Sequence, residues 1–284
     1  MIFTKMHGLG NDYIFIDLFN NDLELNNDQL SIMSKILSDR HFGVGSDGLI
    51  VISKSEIADF KMQIFNSDGS MAEMCGNGLR CASAYAYLRG ITKNINQKVE
   101  TGSGIKNAKL FMNGNDIESV LVDLWEPIVY DRVNTNIDDN DYIITPISMG
   151  NPHAVTLVNS LDLDVDKIGK ILSNKYNANV EFIKYIDPNN INMRVYERGV
   201  GETYACGTGA GASVVFTYLN GLTNRKVKVN LLGGNLDINY SDDNHVYLKG
   251  PVEVVYSGAL DQKKILKLVN NTINSRWIIY YFLI

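Results

Sequence analysis

The sequence predicts a strand-rich α/β (α+β) protein built as two pseudo-symmetric lobes, and three observations carry that expectation. The first is an internal duplication. Met74-Cys75-Gly76-Asn77-Gly78 returns as Ala205-Cys206-Gly207-Thr208-Gly209, and the same separation of 131 residues pairs Met62 with Met193, Tyr87-Leu88 with Tyr218-Leu219, Gly90 with Gly221 and Thr92 with Thr223. The second is a series of short alternating or β-branched runs at 13–18, 49–52, 60–65, 120–124, 154–158, 193–196, 227–231 and 252–256, which read as strands. The third is a pair of long proline-free segments rich in Ala, Ser and aromatics, Gly76–Leu88 and Gly207–Leu219. Each is followed by a glycine suited to the C′ position, Gly90 or Gly221, and both read as helices.

Two further helices are expected at 28–37 and 166–174, again one per half. The polar stretch 125–141, opened by Glu126-Pro127, is the expected boundary. It divides the chain into a first lobe, 1–126, completed by the segment 257–284, and a second lobe, 127–256.

Composition bounds the function. With 284 residues each lobe has enough chain to bury a core. A net charge of −6 with dispersed Lys and Arg argues against nucleic acid as a partner. The opening Met1–Gly8 segment lacks the basic and apolar regions of a signal peptide, which sets the expectation of a cytoplasmic protein with reduced thiols. Three cysteines make no disulfide framework, and their spacing suggests no metal site. The apolar end, 277–284, is far shorter than the ~20 residues of a membrane-spanning helix. It reads as a packed or frayed extension, with an amphipathic membrane-surface helix as the alternative.

The placement of the cysteines is itself a chemical argument. Cys75 and Cys206 each stand just before a predicted helix N-terminus, where unpaired N–H groups and the helix dipole favour a thiolate over a thiol of ordinary pKa ~8.5. The flanking glycines let backbone amides approach a bound carboxylate. Inverting a carbon beside a carboxylate needs a base on one face and an acid on the other, and two thiols delivered by two facing halves meet that need. Cys81 has no counterpart, because the same offset lands on Ala212, and it reads as a buried helix residue.

Several motifs together resemble the diaminopimelate epimerase family. They are Lys5-Met6-His7-Gly8-Leu9-Gly10-Asn11-Asp12, Phe65-Asn66-Ser67-Asp68-Gly69-Ser70, Cys75-Gly76-Asn77-Gly78 and Met149-Gly150-Asn151-Pro152-His153. Arg194-Val195-Tyr196-Glu197-Arg198-Gly199 then leads through Glu202-Thr203 to Cys206-Gly207-Thr208-Gly209. The likeness runs in order from Met1 to about Leu260. It implies two lobes, each a mostly antiparallel sheet wrapped around a central helix, with the site in the cleft between them. The implied activity is cofactor-independent conversion of LL-2,6-diaminopimelate to the meso isomer in lysine biosynthesis, by a homodimer acting on a small-molecule substrate without metal or membrane.

Carried over by residue, Cys75 and Cys206 become the acid/base pair, Cys206 taking the proton from the LL isomer. Gly76-Asn77 and Gly207-Thr208 supply helix-N-terminal contacts. Asn11, Asn66, Asn151, Asn179, Glu197 and Arg198 complete the substrate site, and His153 and Glu197 tune a cysteine. Amide side chains suit a doubly zwitterionic substrate, since each offers donor and acceptor without adding charge. Taken singly, Arg198 fits a structural ion pair equally well, Asn179 a turn, and His153 a hydrogen-bonded structural role. At Gly48 some family members carry a longer amide side chain. Gly10-Asn11 also matches Gly150-Asn151, at a separation of 140 residues, so the repeat extends to the asparagines. Three alternatives stay open: another two-cysteine racemase such as a proline racemase relative, a redox or metal protein using both thiols, and a non-catalytic amino-acid binding module.

Overall fold

The computed structural model describes residues 1–19, 24–138 and 140–281, with side chains up to residue 273. Contacts divide the chain into two compact units. The first comprises Met1–Gly8, Asp12–Leu110 and Val252–Ile284; the second comprises Leu9–Asn11 and Phe111–Pro251.

In the first unit, strand Asn11–Asp17 runs parallel to Gly48–Ser53. Gly48–Ser53 is antiparallel to Phe60–Asn66, which is parallel to Asn96–Thr101. That strand in turn forms an antiparallel pair with Gly104–Asn113. The sheet continues on its other side through Ile2–Gly8, which pairs with Asn11–Asp17 and lies antiparallel to Glu253–Ala259. Helix α1, Asn27–Ser38, starts at Asn26 with a reciprocal capping box to Gln29, which satisfies two terminal donors. Its Leu30, Met33 and Leu37 pack on Ile14, Ile16, Leu49, Val51 and Phe65, one face of the sheet. Because side chains alternate along a strand, the intervening Ile50 points to the opposite face, against helix α2, Gly76–Leu88. Strands covered on both faces are apolar throughout, as in Leu49-Ile50-Val51-Ile52.

The second unit repeats the plan. Strand Pro152–Leu157 is parallel to Asn179–Asp187, which is antiparallel to Asn190–Glu197. Asn190–Glu197 is parallel to Lys226–Leu231, and that strand is antiparallel to Gly234–Tyr240. Asn140–Ser148 takes the place of Ile2–Gly8 beside the first of these strands. Helix α3, Val165–Tyr176, packs Val165 and Leu172 on Ala154, Val180 and Phe182. Helix α4, Gly207–Leu219, takes the other face. Both α2 and α4 are buried around most of their circumference, which is the signature of a helix enclosed by sheet.

The expected helices Gly76–Leu88 and Gly207–Leu219 match, and the helices expected at 28–37 and 166–174 extend by one or two residues at each end. Gly90 and Gly221 adopt the left-handed conformation (φ +71° and +69°), as a C′ glycine does. Strands at Asn96–Thr101, Gly104–Asn113 and Gly234–Tyr240 escaped the sequence reading. Their polar residues face outward and interrupt the apolar runs. Helix α5, Gln262–Tyr281, carries Ile265, Val269 and Ile273 onto the α1 core. The expectation for the end of the chain concerns 277–284, whose side chains lie outside the described residues. No described helix is long and apolar enough to cross a membrane.

One surface pair in the second unit makes stability depend on pH. His245 Nδ1 lies 2.9 Å from an Asp123 carboxylate oxygen, and its ring stacks between Trp125 and Tyr247. The hydrogen bond to Asp123 raises the His245 pKa above its ordinary value, against a smaller opposing effect of burial. A raised folded-state pKa adds stability that is complete below the unfolded value, ~6.5, and is lost as pH rises through the folded value. With His245 a quarter exposed, the pair is worth roughly 0.5–1 kcal/mol. His245→Asn should therefore cost about that much in urea melts at pH 5.5–6 and much less at pH 9; an equal cost at both would refute the charged pair.

Candidate functional site

Both central helices begin on a sulfur. Cys75 is the N-cap of α2 in an extended conformation (φ −145°, ψ 119°), and its Sγ accepts the Gly78 backbone N–H at 3.4 Å. Cys206 caps α4 likewise (φ −117°, ψ 114°) and accepts from the Gly209 N–H at 3.3 Å. The thiol thus replaces the Ser or Asp oxygen that usually satisfies a first-turn donor, and a thiolate accepts such a bond better than a thiol does. Gly76, Asn77, Gly207 and Thr208 are first-turn residues, as expected, and their position at a helix N-terminus suits a carboxylate.

The matched positions around the two sulfurs carry different chemistry. In the first unit the Tyr13 hydroxyl donates to Cys75 Sγ at 3.4 Å. His153, the matched residue at the 140-residue separation, belongs to a buried cluster in which Nδ1 lies 2.7 Å from Glu181 Oε1 and Nε2 lies 3.1 Å from Asn151 Oδ1. Asn151 Nδ2 donates to Thr208 Oγ1 at 3.3 Å, and Thr208 Oγ1 lies 3.5 Å from Cys206 Sγ. A Cβ added at Gly78 would meet Ile50 at 2.9 Å; one added at the matched Gly209 would meet Glu181 Oε1 at 2.5 Å. Glu181 therefore stands where the first unit has an isoleucine.

Burial pushes the Cys206 thiol well above its ordinary pKa, and the charges of Glu197 and Glu181 push it further, while Thr208 and the Gly209 N–H pull against them. Glu197 accepts a 2.5 Å hydrogen bond from Thr203 Oγ1. Asn179 Oδ1 accepts the Arg198 backbone N–H at 2.9 Å, while the Arg198 guanidinium donates to Asn177. Asn66 Nδ2 donates to Ser70 Oγ at 2.9 Å. Asn11 opens its strand, half-buried. Cys81 is completely buried and pushed up to about 12 by that burial, which suits an inert core thiol.

At Gly48 an added Cβ would stand 2.4 Å from the Phe65 carbonyl oxygen and 3.2 Å from the Tyr13 ring, so no side chain fits there without a shift. Three donor atoms able to bind a metal, from His153, Glu181 and Cys206, lie within 4.8 Å of one another. Chain spacing hid this cluster because the three residues come from two strands and a helix start. Glu181 and Arg80 also went unread in the sequence. Each left a signal: a lone acid in the buried strand run Val180-Glu181-Phe182-Ile183, and a lone charge in an otherwise small and apolar helix.

The sequence profile of the diaminopimelate epimerase family matches residues 3–126 and 145–255. The diaminopimelate epimerase of Acetivibrio thermocellus is 46% identical over 280 residues, covering 92% of this chain and 99% of its own. That of Methanococcus maripaludis is 44% identical, covering 92% and 100%. Among solved structures, a PhzF-family phenazine biosynthesis protein of Bacillus anthracis superposes with a TM-score of 0.73 at 17% identity, over 92% of this chain and 98% of that one. A hydroxyproline epimerase from Agrobacterium vitis, with bound trans-4-hydroxy-L-proline, gives 0.69 at 13% over 91% of each; these two share the fold. With a sulfur capping the central helix in each half, and with close relatives matched nearly end to end, the chain belongs to the diaminopimelate epimerase family.

Proposed function

We propose that this protein epimerises LL-2,6-diaminopimelate to the meso isomer, an isomerase step of lysine biosynthesis, with Cys75 and Cys206 serving opposite faces of one α-carbon. The observation that carries the reading is the repeated sulfur N-cap. Each thiol accepts an N–H from the start of a buried helix, an arrangement that stabilises the anion a base must present and aims further N–H groups at a carboxylate. For the LL isomer, the Cys206 thiolate takes the α-proton and Cys75 delivers its own from the other face. The Cα–H bond breaks, the pair of electrons rests on the carboxylate-stabilised carbanion, and a new Cα–H bond forms as the Cys75 S–H bond breaks.

Gly76-Asn77 and Gly207-Thr208 hold the reacting carboxylate. Asn11, Asn66, Asn151 and Asn179, with Glu197 and Arg198, recognise the zwitterionic groups. His153 and Glu197 set the charge around Cys206. We further propose a cytoplasmic homodimer. Strand Glu253–Ala259 pairs with Ile2–Gly8 and exposes Val254, Val255 and Tyr256, an apolar surface of the sort that a second copy covers.

Cys75→Ala or Cys206→Ala should each lower turnover of LL-diaminopimelate by roughly a thousandfold or more, whereas Cys81→Ala keeps most of it. Near-normal turnover by either of the first two would sink the two-base reading. In deuterated water, meso product at low conversion should carry deuterium at the inverted carbon while recovered LL substrate stays protiated, read by mass spectrometry and NMR. Meso product retaining its original hydrogen would place both steps on one base. Dialysis against a chelator should leave activity intact; activity that falls and returns with zinc would assign the His153, Glu181 and Cys206 cluster to a metal instead.

A further inference from the structure

We propose that Arg80 is the built-in counter-cation of Cys75, so that the free protein rests with the thiolate on Cys75 and the proton on Cys206. Arg80 is completely buried. Its Nη1 donates to the neutral amide oxygen of Asn77 at 3.0 Å, which turns the guanidinium back toward the first turn of α2, the turn that Cys75 caps. Its Nε and Nη2 have no hydrogen-bond partner, and among the described residues no carboxylate stands within ion-pair distance. The backbone closes over it, since a Cβ at Gly8 would lie 2.8 Å from Nη2.

A buried guanidinium without an anion is strongly destabilising, and removing one partner of such a pair is what leaves that penalty standing. The anion must come from a group that ionises at the site. The ionisable groups whose charge Arg80 feels are Cys81 and Cys75. Cys81 is held neutral by burial, with a pKa of about 12. Cys75 remains, with the Gly78 N–H and the Tyr13 hydroxyl already donating to its sulfur. Of the other ionisable residues on the strands around α2, Asp17 bonds Tyr85 Oη at 2.6 Å near the C-terminal end of the helix, Lys5 pairs with Asp12 at 2.8 Å, His7 lies 3.6 Å from Glu253, and Lys61 pairs with Glu100 at 3.1 Å.

The second unit inverts every part of this. The position matched to Arg80 is Gly211, where even a Cβ would lie 3.1 Å from Val246, 3.3 Å from Leu124 and 3.3 Å from Met149, so no arginine can enter. The groups facing Cys206 are instead Glu181, paired with His153, and Glu197, and the second oxygen of Glu181 is buried without a partner. The duplication has therefore kept two equivalent thiols and broken the symmetry of the charge behind them. Arg80 acts on Cys75 through the field and through Asn77, as a positioning residue.

This deepens the epimerase reading and rests on it for its catalytic meaning, so the test uses free protein without substrate. Iodoacetamide labelling across pH 5–10, mapped by peptide mass spectrometry, gives the pH of half-maximal rate for each thiol. That midpoint reads ionisation, whatever the accessibility of the sulfur. Cys75 should ionise at least one pH unit below Cys206. In Arg80→Met the Cys75 midpoint should rise by a unit or more, which is roughly a tenfold loss of labelling rate near neutrality, while Arg80→Lys keeps most of the wild-type value. A purely structural arginine would lower the melting temperature and leave the midpoint in place. A Cys206 midpoint at or below that of Cys75 overturns the proposal, and this wild-type comparison decides it even if Arg80→Met does not fold. So does an unmoved Cys75 midpoint in folded Arg80→Met. Midpoints as stated in a protein that does not convert LL-diaminopimelate would sink the epimerase reading and leave this one standing.

Discussion

The rest of the structure depends on a hydrogen bond from a backbone N–H to a sulfur at the start of a buried helix. A helix N-terminus leaves donors unsatisfied, and in α2 and α4 the residue that satisfies one of them is a cysteine. Enclosing such a helix in sheet on nearly all sides removes competing water and concentrates the remaining N–H groups at one end. The small residues at the start of each helix follow from this, since Gly78 meets Ile50 and Gly209 meets Glu181 at distances that admit no side chain.

Duplication supplies two such termini from one plan. Each unit sets a parallel strand pair, an antiparallel return and a second parallel pair around its central helix, with a peripheral helix on the far face. The backbone constraint was retained in both halves, and the side chains that touch the sulfur diverged. Tyr13 corresponds to His153, Ile50 to Glu181 and Arg80 to Gly211. The two thiols therefore share a backbone geometry while the side chains behind them differ in charge.

The crowding at Gly48 shows how one change propagates through a packed site. The space beside it is taken by the Phe65 carbonyl and by the ring of Tyr13, whose hydroxyl reaches Cys75. A longer residue there would require both the Phe65 backbone and the Tyr13 ring to shift, so the two positions are physically linked.

Local signals made much of this protein legible in advance. The repeat singled out Cys75 and Cys206, which the structure places at the N-caps of α2 and α4, and gave no counterpart to Cys81, which is buried. The glycines after Leu88 and Leu219 and the absence of proline delimited the central helices, because propensity and capping act within a few residues. Strands with polar outer faces, such as Gly104–Asn113 and Gly234–Tyr240, were not legible, since half of each faces solvent and the alternation is diluted. The electrostatics were not legible either. Whether Arg80 and Glu181 are solvated or buried, and which sulfur Glu181 acts on, is decided by strands brought together from distant parts of the chain, and a charge has its large effect only where the fold has removed the water around it. The sequence by itself determined that there are two thiols at two helix starts; only the tertiary structure decided that one is backed by a cation and the other by carboxylates.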